Sequence, residues 1–201
     1  MIPLATTLSA LSLAPAHAET LNNFIQIFHK WNRSINLSAA RSTDEISSHI
    51  LDSLHAVPHL CAEIASIQAG SARVLDVGAG GGLPAVVVAI CLPEIQVVAL
   101  EPVHKKHAFL RTVRRELSLA NLEPLAERVD DHPHHDYTAA MSRATFDLRE
   151  WLLRGLALVQ PGGLVLGFEA VPRHDLPPDT ARHPYLLDDK SRSIVTLRRP
   201  P

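Results

Sequence analysis

Two acidic residues and a cluster of glycines carry the chemistry most legible in this chain. Val74-Leu75-Asp76-Val77 runs into Gly78-Ala79-Gly80-Gly81-Gly82, and Leu83-Pro84 follows. An apolar run entering such a loop reads as a strand, and Pro84 suits the first turn of a helix after it. Glycines let the backbone take positive φ and let a ligand approach with no Cβ in the way. A dinucleotide site would want a third glycine where Leu83 stands. Further on, Ile95-Gln96-Val97-Val98-Ala99-Leu100 closes on Glu101, 23 positions after Gly78. A carboxylate at a second strand end can accept from both hydroxyls of a ribose. In this order and at this spacing, the two features predict a site for a nucleoside-containing cofactor.

Other residues compete for attention. His49, Asp52 and Ser53 share one face of a predicted helix, apart from the apolar line of Ile46, Ile50 and Leu54. Adjacent positions on one helix cannot line up hydroxyl, imidazole and carboxylate for hydrolysis. What remains is a polar cluster on the helix surface, or one that docks this helix over the cofactor's mouth. Asp130-Asp131-His132-Pro133-His134-His135-Asp136 resembles a metal string, but Pro133 breaks regular geometry and a solvated loop is expected, with no metal. Asp130 alone is placed to accept from an adenine amino group. Lys105, Lys106, Arg111, Arg114 and Arg115 form a basic run without an intervening acid. It reads either as a solvated helix face or as a phosphate-contacting surface for RNA.

These residues must be positioned by a chain of 201 residues with 46% hydrophobic and 20% charged content, values of a globular domain with a real core. The net charge of −2 argues against general coating of polyanions. Cys61 and Cys91 stand alone, so neither a disulfide framework nor a cysteine zinc site is expected, and a reducing compartment fits. The first eighteen residues carry Ala16-His17-Ala18, which looks like a cleavage site. However, Lys or Arg is absent before Lys30, and a helical or loosely ordered extension is expected rather than a signal peptide. Prolines and hydroxyls interrupt that run, so no membrane span is expected there.

Leu21, Phe24, Ile25, Phe28 and Trp31 mark an amphipathic helix opening near Thr20. Ser42-Thr43-Asp44-Glu45 caps a second, which Pro58 ends. From residue 73 the rhythm becomes strand–helix alternation. Strands are predicted at 73–77, 95–100, 122–129, 138–142 and 164–168, and helices from about 84, over 104–119 and over 146–159. Ile194–Leu197 is expected as a last strand at an antiparallel edge. The fold class is α/β, a Rossmann-like doubly wound and mainly parallel sheet, with an N-terminal helical extension over residues 1–70 packed on a core at 71–201.

Asp76 two residues before the first glycine gives D-x-G-x-G-x-G, which resembles motif I of class I S-adenosylmethionine-dependent methyltransferases. That cofactor carries an ammonium and a sulfonium, which suit Asp76 and the loop at Gly78 and Gly80 better than a pyrophosphate does. Beyond the superfamily, the chain resembles the bacterial 16S rRNA guanine-N7 methyltransferases of the small-subunit methyltransferase G type, also called glucose-inhibited division protein B. The likeness spans about residues 20–160. It rests on His29-Lys30-Trp31-Asn32, Ile35-Asn36-Leu37-Ser38, Arg41, His49-Ile50-Leu51-Asp52-Ser53-Leu54, the glycine loop, Lys105-Lys106, Phe109-Leu110, Arg128-Val129 and Ser142-Arg143-Ala144.

The resemblance implies that Gly78, Leu83, Val129, Asp130 and Arg143 line the cofactor pocket, with Glu101 on the ribose. It implies a cytoplasmic monomer that methylates a guanine N7, guanosine 527, in 16S rRNA or the assembling small ribosomal subunit. Two departures stand out. Gly167-Phe168-Glu169-Ala170 lacks the lysine usual after the fifth strand, and Thr145-Phe146-Asp147 replaces the usual Phe-Ala after Ser142-Arg143-Ala144. Other readings stay open: another class I methyltransferase, an oxidoreductase using NAD, or an inactive ribosome-associated binder that keeps the fold.

Overall fold

In the computed structural model, residues 4–65 and 72–201 are described. The expected boundary between extension and core, at residues 70 and 71, lies outside them. Helices α1 (Leu4–Ala10), α2 (His17–Ile35), α3 (Thr43–Leu54) and α4 (Val57–Ile64) precede the first strand. Helix α2 opens three residues earlier than its apolar stripe suggests, and Phe24 and Phe28 are fully buried. Helix α3 starts with a full capping box: Ser42 Oγ accepts from Glu45 N at 3.2 Å, and Glu45 Oε2 accepts from Ser42 N at 3.2 Å. Pro58 does not end α3. It occupies the first turn of α4, where its missing N–H would have had no intrahelical partner.

The sheet contains β1 (Arg73–Val77), β2 (Gln96–Leu100), β3 (Leu122–Leu125), β4 (Tyr137–Ser142), β5 (Val159–Glu169), β6 (Ala181–Leu187) and β7 (Lys190–Arg198). Their order is β3-β2-β1-β4-β5-β7-β6, parallel through β5. Strand β7 runs antiparallel between β5 and β6, so it is not the edge. The edge is β6, hidden in the sequence because Arg182, Pro184 and Leu186 face water and break any apolar alternation. An edge strand tolerates Pro184, whose absent N–H is not needed by a neighbour. Strand β3 is shorter than expected; Val129–Asp131 forms a 3-10 turn instead.

Helices α5 (Ala85–Cys91), α6 (His104–Glu116) and α7 (Leu148–Gly155) complete the fold. Every residue of α5 is buried, and its Ala-Val-Val-Val-Ala-Ile-Cys sequence would serve equally as a buried strand. The glycine loop and Pro84 at its N-cap decide for helix. The two faces of the sheet are covered unequally. Val74, Val97, Ala139 and Leu166 share one core with α1–α6, whereas Leu75, Val98, Ala140 and Val165 pack with Trp151 and Leu152 of α7. Because side chains alternate across a strand, Asp76 points to the crowded face, beneath the glycine loop.

Candidate active site

Ligands of open α/β sheets sit beyond the carboxyl ends of the strands, where the order reverses. Here that is the β1–β4 crevice, and β1, β4, α2 and α3 all supply residues to it. Gly78, Gly80 and Gly82 have φ of +74°, +55° and +79°. A Cβ on Gly78 would stand 2.4 Å from Thr145 Oγ1, and one on Gly81 would meet Phe28 at 2.4 Å. The glycines therefore bend the chain and also leave room for α2 and the Arg143–Phe146 segment to close on the loop. In that segment Ala144 takes φ +58°, and Thr145 Oγ1 donates to Gly78 O at 3.2 Å.

Both acids named above hold this loop from below. Asp76 is fully buried; its Oδ2 accepts from Ala85 N at 2.9 Å and its Oδ1 has no partner. Burial drives its pKa up to about 7, against the opposing pull of that backbone bond and of Arg143. Glu101 is 4% exposed and spans two amides, Gly80 N and Val103 N, each at 2.8 Å. Neither acid is among the residues that line the two cavities above the loop. Each Glu101 oxygen keeps a second lone pair for a further donor.

Two cavities meet over the loop, sharing Gly78, Thr145 and Phe146. The larger, about 510 Å³, is lined by Gly78, Gly80, Leu83, Lys106 and Arg143 among others. The smaller, about 200 Å³, has apolar walls of Val77, Leu100 and Val129 with Asp130 at its rim. Of the cofactor residues expected from sequence, Gly78, Gly80, Leu83, Arg143, Val129 and Asp130 thus border this double cleft. Asp76 and Glu101 stand behind it, and Asp130 is ion-paired to Arg154.

The wall opposite the glycines is made by residues far apart in sequence. Asp52, 3% exposed, accepts from Arg143 Nη1 at 3.1 Å and from Tyr185 Oη at 2.7 Å, with Arg192 Nη1 at 3.5 Å. This is no surface cluster: Asp52 docks α3 onto the segment after β4 and onto β6 and β7 at the cleft, and Ser53 is buried with its hydroxyl on His49 O. His49 lies beside them, its pKa lowered by burial and then by Arg143. Glu169, where a lysine was missing, is buried on Arg182 at 2.9 Å. Tyr185 and Arg192 escape sequence reasoning because no local pattern marks them.

The basic run of α6 divides. Lys106 borders the larger cavity and Lys105 is exposed nearby, while Arg111, Arg114 and Arg115 line a separate open groove of about 540 Å³ at the far end of the helix. The supposed metal string also separates: His132 is buried, and Asp131, His134, His135 and Asp136 are exposed.

A family of rRNA small subunit methyltransferase G proteins matches residues 17–177. The chain belongs to that family. The Ribosomal RNA small subunit methyltransferase G of Chromobacterium violaceum is 37% identical over 164 residues, covering 81% of this chain and 75% of the relative. That of Burkholderia lata is 37% identical over 204 residues, covering 98% and 84%. Among solved structures, TrmN from Thermus thermophilus superposes with a TM-score of 0.55 at 22% identity, covering 73% of this chain and 48% of its own. The SAM-dependent O-methyltransferase TM0748 of Thermotoga maritima gives 0.52 at 12% identity, over 71% and 64%. At these identities the two structures speak for the fold, that of class I methyltransferases.

Proposed function

We propose that this protein transfers a methyl group from S-adenosylmethionine to guanine N7 of 16S rRNA, at guanosine 527, in the small ribosomal subunit or its precursor. The observation that carries this reading is the convergence of Gly78, Gly80, Leu83 and Arg143 on one cleft in a chain of this family. The site suits the cofactor: the glycines present bare backbone, Glu101 retains acceptor capacity for a ribose, and the small cavity offers apolar walls to a purine.

When bound along the glycine loop, S-adenosylmethionine would supply a sulfonium-activated methyl to the N7 lone pair, with S-adenosylhomocysteine leaving in line and a cationic N7-methylguanine as product. N7 is unprotonated at neutral pH, so the chain needs no general base, and no catalytic residue is assigned. Its task is positioning. Arg143 and Arg192 face one Asp52, which leaves the mouth an excess of positive charge beside Lys106. That excess matches an RNA phosphate at the target nucleotide. Lys105, Arg111, Arg114 and Arg115 extend the contact along α6. No helix among the described residues is long and apolar enough to cross a membrane; the protein works as a cytoplasmic monomer in this reading.

The test is methyl transfer to small subunits that lack the modification. Methylated N7 makes the glycosidic bond labile after borohydride reduction, so aniline should cut the treated 16S rRNA at one site. Gly78→Val should abolish the cut, since its branched side chain collides with Thr145 at a positive φ. Methyl found on an exocyclic amine or a ribose would refute the N7 assignment.

A further inference from the structure

His132 is 3% exposed in a segment whose neighbours Asp131, Pro133 and His134 all face water. Both its ring nitrogens are engaged. Nδ1 lies 2.8 Å from Glu127 Oε2 and Nε2 lies 2.7 Å from Tyr137 Oη. An ionised carboxylate only accepts, so Nδ1 carries a proton, and in the neutral ring Nε2 accepts from the tyrosine O–H. Tyr137 is fully buried at the start of β4, with the Arg73 guanidinium 4.7 Å above its ring and its own amide donating to Leu158 O at 3.2 Å. Glu127, at the other end, borders the smaller cavity. Residues 127, 132 and 137 thus form one chain of hydrogen bonds from the cleft wall to the sheet.

The turn Val129–Asp131 is slung between the first two of these side chains. None of its residues is buried, and its backbone bonds, Asp131 N to Arg128 O and His132 N to Val129 O, close only on itself. The Asp130–Arg154 pair is open to solvent on its Asp130 side and holds little. Val129, partly buried against the core around Trp151, and the His132 ring tie this turn to the fold; the ring's bond to Tyr137 is buried, and its bond to Glu127 is partly open to solvent.

We propose that Glu127, His132 and Tyr137 form a positioning relay that sets cofactor affinity by holding the Val129–Asp131 turn against the Gly78 edge of the cleft. This rests on the assignment of the small cavity to the cofactor's base. The hydroxyl of Tyr137 acts through His132 and the turn and touches no ligand itself.

Tyr137→Phe tests it, because it removes one oxygen from a buried ring and keeps the packing. Affinity for S-adenosylhomocysteine, measured by calorimetry well below the melting temperature, should fall about tenfold. That corresponds to ~1.4 kcal/mol, the scale of one buried hydrogen bond. In the ligand-free protein the amides of residues 129–132 should exchange at least severalfold faster, while kcat at saturating cofactor stays within about twofold. Glu127→Gln keeps an acceptor and should retain most of the affinity, whereas Glu127→Ala should not. A purely structural role would lower the melting temperature and leave affinity and the KM-against-kcat split unmoved. Unchanged affinity in Tyr137→Phe and Glu127→Ala, with wild type binding normally, overturns the relay alone. Failure of wild type to bind S-adenosylhomocysteine overturns the cofactor assignment, and the relay's role in affinity with it.

Discussion

The two walls of the cleft are built in opposite ways. The glycine wall is assembled from neighbours in sequence: Asp76 reaches Ala85, Glu101 reaches Gly80, and all lie within one β-α-β unit. The facing wall joins Asp52 of α3 to Arg143 after β4, Tyr185 of β6 and Arg192 of β7, separations of 91 residues and more. Local geometry secures the first through backbone amides. The second depends on a buried ion pair, which is worth much only while every partner is present. Each wall should therefore fail differently.

The largest effect is expected where the facing wall is cut. Asp52→Ala leaves Arg143 partly buried without its counter-charge and Tyr185 without its acceptor. Loss of such a pair costs about 3–5 kcal/mol, so thermal denaturation should show a midpoint lower by roughly 10 °C for a chain this size. A shift of a degree or two would mean that the wall is held by packing and that the contrast with the glycine side is false.

Acidity should separate the walls with less force. Burial of His59, against His183 at 4.2 Å behind the facing wall, brings its pKa down to about 4, and His55, stacked on Tyr185, is lowered too. The folded state then binds fewer protons than the unfolded chain between about pH 6.5 and 4, so stability is present above that window and is lost as pH falls through it. For a half-buried imidazole the loss is about 1–2 kcal/mol after solvent screening. Asp76 runs the other way: raised from 3.8 to about 7, it draws stability down as pH climbs between those values. Chemical denaturation from pH 4 to 8 should find His59→Gln less sensitive to acid and Asp76→Asn spared the loss towards neutrality. Parallel pH profiles for both variants and wild type would erase the distinction.

The smallest effect should come from residues on neither wall. Arg114→Glu with Arg115→Glu changes the groove at the far end of α6, so cofactor affinity should stay put. If these arginines contact phosphate, the log-affinity against log-salt slope for RNA should flatten by about 0.7–0.9 per contact. Identical slopes would leave the groove as a solvated helix face.

Motif order foretold the parallel half of the sheet, because apolar runs bounded by glycine or acid leave few alternatives to β-α-β. The Ser42 cap and the glycine loop were readable for the same reason: their contacts span only a few residues. The sequence misdirected where a residue's surroundings come from elsewhere. Pro58 reads as a terminator until α4 is seen to begin there, and β6 is invisible because an exposed edge has no core face to show.

What the sequence by itself determined is the glycine loop, the strand that feeds it and the acids behind it, all encoded in backbone freedom and short-range hydrogen bonds. Only the tertiary structure decided that Asp52 faces Arg143, that Arg192 reaches the same mouth, and that His132 is buried between Glu127 and Tyr137. Those outcomes depend on burial, which is a property of what the rest of the chain brings near. A histidine in a polar string carries no mark of the tyrosine waiting five residues on, until β4 turns it inward.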